Sequence, residues 1–414
     1  MKLATFTEEV KFQRLDLAIE VIMKPGETYL VPDFVVEKVK QLNPKVIKKS
    51  SDLYHRFRRY NVNIDLNDKI LLIIRSGGIG DLLFLTPMAR EVKKRYPDSK
   101  IFLVCMEQYH EMFKGLPFYD AVFPIPVAFS VIQKEVRYPM TDSNSYCFSM
   151  ESLIEEDKRA KEQNVYELLA EEFGFLDVDL APQVYLNENK LKEIKDLFFK
   201  EPKDFNKLNI GYQFTASSAI RTVKPQYTLG FLNIWEVPDT RIFLIDSKHK
   251  KDFIKYYLKR VDNPLINEGR LEIIDVSSYG LDYAQLVALV SLLDFVIGPD
   301  SSIMHLAECF GKPKLGLFAA FHSELRLKNY KNTVALDVFT DCKYIVSKKY
   351  SSCFIHGDVC PKAKDLKRYF APCMDFLTPY NVVGATYAFL QDLKLIEISM
   401  DSKYKFSVKK KLDL

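Results

Sequence analysis

Residues 293–321 have the sequence LDFVIGPDSSIMHLAECFGKPKLGLFAAF, which contains the clearest pattern of secondary structure in the chain. The apolar run at 293–297 predicts a buried strand, and the spacing of apolar residues after Ile303 predicts a helix. Gly311 stands where a helix C-cap glycine belongs, and a second buried strand follows at 315–318. Strand, helix and strand in this order indicate one unit of a parallel α/β sheet.

The turn between the first strand and the helix is rich in side chains that cap helices. It contains Asp300, Ser301 and Ser302. Such a turn aims free backbone N–H groups and the positive end of the helix dipole at one point, which suits a phosphate. An ordinary helix cap fits the same residues, and His305 fits an ordinary partly buried histidine.

The same stretch resembles the donor-site motif of glycosyltransferase family 9, the heptosyltransferase group. Nine residues match that motif: Asp300, Ser301, His305, Ala307, Gly311, Lys312, Pro313, Leu317 and Phe318. Three residues depart from it, because Ser302 and Ile303 replace a Gly-Pro pair and Ala319 replaces a final glycine. A lost glycine removes room for the backbone to approach a diphosphate closely.

The composition favours a globular protein with more than one domain. The chain has 414 residues, of which 48% are hydrophobic and 28% charged, and its net charge of +4 does not favour nucleic acid as a partner. No apolar run has the length of a membrane span or the form of a signal peptide, so we expect a cytoplasmic protein. Basic residues cluster at 45–59, 343–349 and 403–411, which fits either solvated faces or peripheral contact with the inner membrane.

Residues 1–67 precede the first clear strand of the α/β pattern and predict a small accessory module. An apolar run at 17–23 and a return at 29–31 across a Pro-Gly turn predict a hairpin. Apolar spacing predicts a helix at 34–42. The module either packs against the main body or holds an acceptor or a neighbouring subunit.

A second α/β pattern begins with a continuous apolar strand at 69–74. Gly77, Gly78 and Gly80 allow a tight loop, and a helix is predicted at 82–95, followed by a strand at 101–104. The ligand crevice of such a unit lies at the carboxyl end of its first strand. The glycine spacing lacks the third position of the dinucleotide fingerprint, which disfavours a dinucleotide-dependent oxidoreductase.

This region is also similar to the N-terminal motif of glycosyltransferase family 9. The matching residues are Arg75, Gly80, Asp81, Thr86, Pro87 and Pro97. In that family the aspartate after the glycine is proposed as the general base, so the resemblance implies this role for Asp81. A carboxylate can accept the proton that a sugar hydroxyl loses as it attacks the anomeric carbon.

Three further predictions concern the rest of the first half of the chain. A strand is predicted at 119–125, a helix at 165–173 with Gly174 as its end, and irregular structure at 140–150. Nothing in this part of the sequence specifies an acceptor.

The loop FTASSAIRTVKPQ at 214–226 is partly similar to the second-domain loop of the same family. Ala216, Ser217 and Arg221 match, whereas Val223 and Lys224 stand where the family has Trp-Pro. Arg221 and Lys224 can hold a diphosphate. A solvated loop arginine is the alternative.

Four of the seven cysteines lie close together in sequence, at Cys342, Cys353, Cys360 and Cys373. The segment lacks a CxxC pair, yet four thiols can form a tetrahedral structural site for zinc or iron. The autotransporter heptosyltransferases, which this chain resembles, are described as having an iron-binding finger in this region and an extra N-terminal module. Free or partly buried thiols are the alternative.

The resemblance covers residues 69–390 and implies an α/β fold of the GT-B type, with two Rossmann-like doubly wound domains facing a cleft. We predict an accessory module at 1–67, an acceptor domain at 68–203 and a donor domain at 204–380 that includes the cysteine segment 342–373. A C-terminal helix, predicted at 381–393, and a basic tail complete the chain at 381–414.

The resemblance implies inverting transfer of a sugar, in the first place heptose from ADP-heptose, to a hydroxyl of a glycan, lipopolysaccharide, lipid-linked or protein acceptor. The catalytic residue is then Asp81, and the donor is held by Arg221, Lys224, Asp300, Ser301, Ser302, Met304 and His305. No Asp-x-Asp motif ends a strand, so we expect no cofactor to be required for catalysis. The alternative is a non-catalytic nucleotide-sugar-binding or assembly protein of the same fold.

Overall fold

The structure is a computed structural model of the chain. It describes residues 1–14, 19–136, 140–141, 143–151, 153, 158–216, 218–319, 322–338, 360–399 and 405–408. These residues divide into two compact units. The first unit comprises residues 1–156 and 169–179, and the second comprises 157–168 and 180–414. The domain limits expected from the sequence stay a prediction.

The first unit begins with a small antiparallel sheet in the order β10-β4-β1-β5. Its strands are β1 (Lys2–Phe6), β4 (Thr28–Val31), β5 (Ile47–Asp52) and β10 (Val127–Ala128). A separate hairpin joins β2 (Val10–Arg14) and β3 (Ile19–Met23). The sheet therefore takes one strand from outside residues 1–67.

The predicted hairpin between residues 17–23 and 29–31 is wrong. The turn at Gly26 forms, with φ at +81°, but Tyr29 lies opposite Ala4 and β4 pairs with β1. This pairing places β4 over a core that the helix Asp33–Leu42 also covers. Packing against residues distant in sequence outweighs the local turn signal, since burial of apolar surface drives the assembly.

The first unit also contains a parallel sheet of five strands in the order β6-β11-β7-β8-β9. They are β6 (Arg58–Arg59), β7 (Ile70–Ile74), β8 (Lys100–Met106), β9 (Ala121–Ile125) and β11 (Ser145–Ser149). The predicted strands at 69–74, 101–104 and 119–125 are confirmed. The irregular structure predicted at 140–150 is wrong, because Ser145–Ser149 pairs with Ile70–Ile74 and is almost wholly buried despite its two serines.

The second unit contains a parallel sheet of six strands in the order β14-β13-β12-β15-β16-β17. They are β12 (Leu208–Tyr212), β13 (Thr240–Leu244), β14 (Leu271–Asp275), β15 (Phe295–Gly298), β16 (Lys314–Phe318) and β17 (Thr333–Asp337). Counted within this sheet, the order is 3-2-1-4-5-6, the doubly wound arrangement. The strand order reverses between β12 and β15, and the rule for such sheets puts the ligand beyond the carboxyl ends of these two strands.

The helices confirm the pattern expected between the strands. In chain order they are Asp33–Leu42, Ile79–Arg95, His110–Phe113, Phe129–Val136, Val165–Phe173, Glu188–Phe198, Pro202–Asn206, Pro225–Asn233, Lys251–Leu258, Pro264–Asn267, Tyr283–Leu292, Ser302–Cys309, Glu324–Leu327, Pro361–Asp365 and Pro379–Asp392. Strands β18 (Ile396–Ser399) and β19 (Lys405–Val408) pair in antiparallel orientation within the predicted basic tail. Among the described helices, none combines the length and apolar character needed to cross a membrane.

Candidate functional site

The turn between β15 and the helix Ser302–Cys309 lies at the carboxyl edge of the second sheet, beside the end of β12. Ser301 is the N-cap residue, and Gly311 ends the segment with φ at +61°, as expected from the sequence. A Cβ added at Gly298 would lie only 3.3 Å from the carbonyl oxygen of Gln213. Glycine therefore allows the ends of β12 and β15 to lie close together.

Two buried polar atoms at this edge have no hydrogen-bond partner within the described residues. They are Oε1 of Gln213, directly after β12, and Oγ of Ser301, directly before the helix. Buried polar atoms in native proteins are usually paired. Both atoms are therefore candidates for contact with a ligand. Gln213 was missed from the sequence, although a polar residue directly after a buried strand is a usable signal.

Asp300 is the centre of a buried charge cluster in this turn. Arg221 Nη1 donates to Asp300 Oδ2 over 2.8 Å and to the Asp300 carbonyl over 3.0 Å. Arg326 Nε lies 4.0 Å from Oδ1. Burial by itself raises the pKa of Asp300, but the hydrogen bond from His305 and the charges of Arg221 and Arg326 outweigh it and hold this pKa well below its ordinary value.

His305 lies behind Asp300, and only 3% of its surface is exposed. Its Nε2 is 3.5 Å from Asp300 Oδ1, and its Nδ1 is 2.6 Å from the hydroxyl of Tyr330. That hydroxyl is in turn 2.9 Å from the hydroxyl of Tyr166. Sequence reasoning found His305 and Asp300 but missed Arg326, Tyr330 and Tyr166, which lie outside the recognised motif.

Two other predicted donor residues are placed differently. The side chain of Met304 is fully buried in the core, so it offers no surface to a ligand. Lys224 forms an ion pair with Asp375, which also pairs with Arg368 over 2.7 Å. Ser302 is the first residue of its helix and is partly exposed.

A second cluster lies in the first unit, at the carboxyl edge of the five-stranded sheet. Arg75 follows β7 and is buried, and its Nη2 lies 2.6 Å from Asp81 Oδ2. Its Nη1 lies 3.1 Å from Glu151 Oε2, and the backbone N–H of Ser76 donates to the same Glu151 carboxylate. The carboxylate side chains of Asp81 and Glu151 are 21% and 30% exposed. One buried cation therefore holds two carboxylates that solvent can reach.

The glycines before Asp81 shape this cluster. A Cβ at Gly77 would lie 2.4 Å from the Arg75 guanidinium, so glycine is required where that side chain folds back. Gly78 is the N-cap of the helix Ile79–Arg95, which begins three residues earlier than predicted. Gly80 consequently lies in the first helical turn, and its assignment to the loop is corrected. Glu151 was missed because the strand before it was interpreted as irregular.

The predicted metal ligands are only partly within the described residues. Cys342 and Cys353 lie outside them. Cys360 is buried and its Sγ accepts the N–H of Ala363, while Cys373 is partly exposed. Among the described residues, no group of three or more His, Cys, Asp and Glu side chains is placed to hold a metal ion.

Two parallel sheets, each with charged side chains at its carboxyl edge, make the chain an α/β protein, and its fold matches that of solved heptosyltransferases of the GT-B type. The family model of glycosyltransferase family 9 (heptosyltransferase) matches residues 280–342, which include Asp300, His305 and Arg326. This match confirms the predicted resemblance to glycosyltransferase family 9. No curated protein sequence matched the chain.

Solved structures agree on the fold. A glycosyl transferase family 9 protein from Veillonella parvula DSM 2008 is 12% identical with a TM-score of 0.57, covering 80% of this chain and 99% of its own. The Escherichia coli ADP-heptose lps heptosyltransferase II is 14% identical with a TM-score of 0.55, covering 78% and 99%. The dodecameric iron-containing heptosyltransferase TibC, solved with ADP-D-beta-D-heptose, is 11% identical with a TM-score of 0.52, covering 95% and 96%. A second TibC structure is of the protein from enterotoxigenic E. coli H10407.

Proposed function

We propose that the chain is an inverting glycosyltransferase that moves a sugar from a nucleotide donor to a hydroxyl group. Heptose carried by ADP is the donor we favour, because the family matched at residues 280–342 is described as heptosyltransferase and the TibC relative was solved with ADP-D-beta-D-heptose. The acceptor is a hydroxyl of a glycan, a lipopolysaccharide or a protein.

The Asp300 cluster is the observation that carries the proposal. Two guanidinium groups, from Arg221 and Arg326, surround one carboxylate, which leaves an excess of positive charge at the N-terminus of a helix. Guanidinium groups and free helical N–H groups both bind phosphate oxygens. We assign the donor diphosphate to this edge, with the hydroxyl of Ser301, which has no hydrogen-bond partner in the part of the chain that the structure describes, as a further contact.

We assign the role of general base to Asp81. In the reaction, the acceptor oxygen forms a bond to the anomeric carbon while the bond from that carbon to the diphosphate oxygen breaks. Asp81 accepts the hydroxyl proton, and the electron pair of the broken bond leaves on the diphosphate. Positive charge already fixed around Asp300 stabilises the charge that develops on the leaving group.

The same charge arrangement supports transfer without a catalytic metal ion, since Arg221, Arg326 and the helix N-terminus supply the positive charge. Protein that has been treated with EDTA and then freed of excess chelator is expected to transfer the sugar at the same rate as untreated protein. A rate that falls with EDTA and returns with added Mg²⁺ would contradict this part of the proposal.

We further propose a structural zinc or iron ion held by Cys342, Cys353, Cys360 and Cys373. Four thiolates suit either metal in a tetrahedral site. The ion would tie the cysteine segment together and take no part in sugar transfer. Metal analysis of the purified protein is expected to give one ion per chain, and Cys360→Ser should lose it. A metal-free protein with four reactive thiols would contradict the site.

Calorimetric titration with ADP, UDP and GDP tests the donor assignment. Selective binding of ADP is expected, and Arg221→Ala should weaken it about tenfold or more, the loss of a charged hydrogen bond. Arg270→Ala is the matched control, because it removes a guanidinium just before β14, at the opposite edge of the same sheet. A preference for UDP or GDP would change the sugar donor, and binding of none would contradict the proposal.

The second candidate function is a nucleotide-sugar-binding protein without catalysis. Ser302, Ile303 and Ala319, which replace motif residues beside the diphosphate site, favour it. ADP-heptose that binds but is neither transferred nor hydrolysed over extended incubation would establish this alternative.

A further inference from the structure

A line of buried polar side chains runs from the Asp300 cluster into the interior of the second unit. It passes from Asp300 to His305, then to the hydroxyl of Tyr330, and from there to the hydroxyl of Tyr166. These four residues are at most 8% exposed, and Tyr166 is fully buried. Water therefore does not reach the contacts beyond Asp300. The side chains themselves decide which group donates and which accepts each hydrogen bond.

Asp300 decides the direction of the line, because an ionised carboxylate only accepts hydrogen bonds and therefore favours a proton on the His305 Nε2 that faces it. Each tyrosine hydroxyl carries one proton, and burial raises the pKa of both Tyr330 and Tyr166 well above the ordinary value, so both stay protonated. If Tyr166 donates to Tyr330, then Tyr330 donates to His305 Nδ1. A neutral imidazole whose Nδ1 accepts carries its proton on Nε2, the nitrogen that faces Asp300. Every hydroxyl and ring nitrogen then has a partner of the right kind.

This direction matters at Asp300. Its Oδ2 takes the hydrogen bond from Arg221, and its Oδ1 faces both His305 and Arg326. A histidine whose Nε2 carried no proton would turn a lone pair toward the carboxylate and repel it. The carboxylate would then rotate, and the two guanidinium groups would lose their common anchor.

We propose that Tyr330 is a positioning residue of the Asp300 cluster: its hydroxyl fixes the Nε2–H tautomer of His305, which holds Asp300 in the orientation that directs Arg221 and Arg326. Tyr330 lies between the helix Glu324–Leu327 and β17, 25 residues beyond His305. Its effect on ligand binding rests on the proposed function. Its effect on the tautomer does not.

The decisive variant is Tyr330→Phe. The rings of Tyr330 and His305 have centroids 5.8 Å apart, as do those of Tyr330 and Tyr166, so phenylalanine keeps the packing and removes only the hydroxyl. Tyr166→Phe is the graded control, since Tyr330 can still donate to His305. Tyr60→Phe is the remote control, because it removes a buried hydroxyl from the first unit.

The first readout is the ¹⁵N spectrum of histidine-labelled protein, which contains signals from six imidazole rings. The signals that disappear in His305→Gln are those of His305. The wild type, Tyr166→Phe and Tyr60→Phe are all expected to show the Nε2–H tautomer of His305 at neutral pH. Tyr330→Phe should show a mixture of tautomers. A wild type with the Nδ1–H tautomer or with imidazolium, or a Tyr330→Phe spectrum equal to that of the wild type, would overturn the proposal.

The second readout is calorimetric binding of ADP. Tyr330→Phe is expected to bind about tenfold more weakly than the wild type, and Tyr166→Phe less than about threefold more weakly. An altered tautomer with unchanged ADP affinity would overturn the link from Tyr330 to Asp300. A wild type that binds no nucleotide would contradict the proposed function, while the spectrum would still decide the role of Tyr330.

Discussion

Arg75 in the first unit and Asp300 in the second occupy equivalent places, each just beyond the end of a buried parallel strand. Their surroundings are opposite in charge. Arg75 is one cation between two carboxylates, Asp81 and Glu151, whereas Asp300 is one carboxylate beside two guanidinium groups and an imidazole. The first cluster has an excess of partly exposed negative charge, and the second has an excess of positive charge.

This difference underlies the two roles that we propose for the same position in two similar sheets. A surplus carboxylate can accept a proton, and a surplus of guanidinium groups can hold a diphosphate. In both clusters the central residue, Arg75 or Asp300, is buried, and its charged partners hold its side chain in place. The four experiments that follow alter one member of a cluster at a time and ask whether the two clusters respond differently.

The largest effect is expected at Asp81. Asp81→Asn removes the proposed proton acceptor while leaving Arg75 paired with Glu151, so transfer should fall about 10²–10⁴-fold. Donor affinity should stay within about twofold of the wild type, because Asp81 does not belong to the Asp300 cluster. Transfer is measured as ADP released in the presence of acceptor, with Asp98→Asn, an exposed residue of the same unit, as control. Near-normal turnover would show that Asp81 is not the base.

The second experiment removes the centre of the other cluster. Asp300→Asn removes the carboxylate that the Arg221 and Arg326 guanidinium groups share, and a buried cation that loses its paired anion is costly. We expect the free energy of unfolding to fall by about 3 kcal/mol, measured by denaturant titration. Asp81→Asn should cost less, since its carboxylate is partly exposed. Equal costs at the two positions would contradict the contrast in burial between the clusters.

The third experiment measures how the stabilisation that Asp300 provides depends on pH. The pKa of Asp300 is lower in the folded protein than in the unfolded chain, so its charge stabilises the fold at any pH above the unfolded value of about 4. This stabilisation is lost as the pH falls through the folded-state pKa. The stability difference between wild type and Asp300→Asn should therefore be constant near neutral pH and shrink below about pH 4. A difference that grows with acid would contradict the depressed pKa.

The smallest effect is expected at Glu151. Glu151→Gln weakens one of the two carboxylate contacts of Arg75, and the partial exposure of Glu151 limits the cost to about 1 kcal/mol. Transfer should fall about tenfold, because Arg75 then orients Asp81 less firmly, while ADP binding is unchanged. Glu107→Gln, an exposed acid of the same unit, is the control. A loss as large as that of Asp81→Asn would make Glu151 the better candidate for the base.

The local elements of the second unit could be predicted from the amino-acid sequence. Apolar runs of strand length marked β15 and β16, capping residues marked the start of the helix Ser302–Cys309, and Gly311 marked its end with the left-handed backbone that glycine adopts readily. These features depend on neighbours a few residues away. The motif resemblance then supplied Asp81, Arg221, Asp300 and His305 as candidates.

The partners of those residues could not be predicted from the sequence and depend on the folded arrangement of the chain. Arg75 and Glu151 are 76 residues apart, His305 and Tyr330 are 25 apart, and Tyr166 and Tyr330 are 164 apart. No periodicity relates positions at such separations, because they meet only through strand order and packing. The same reason explains why β4 pairs with β1 across the small sheet instead of folding back on the run before its turn.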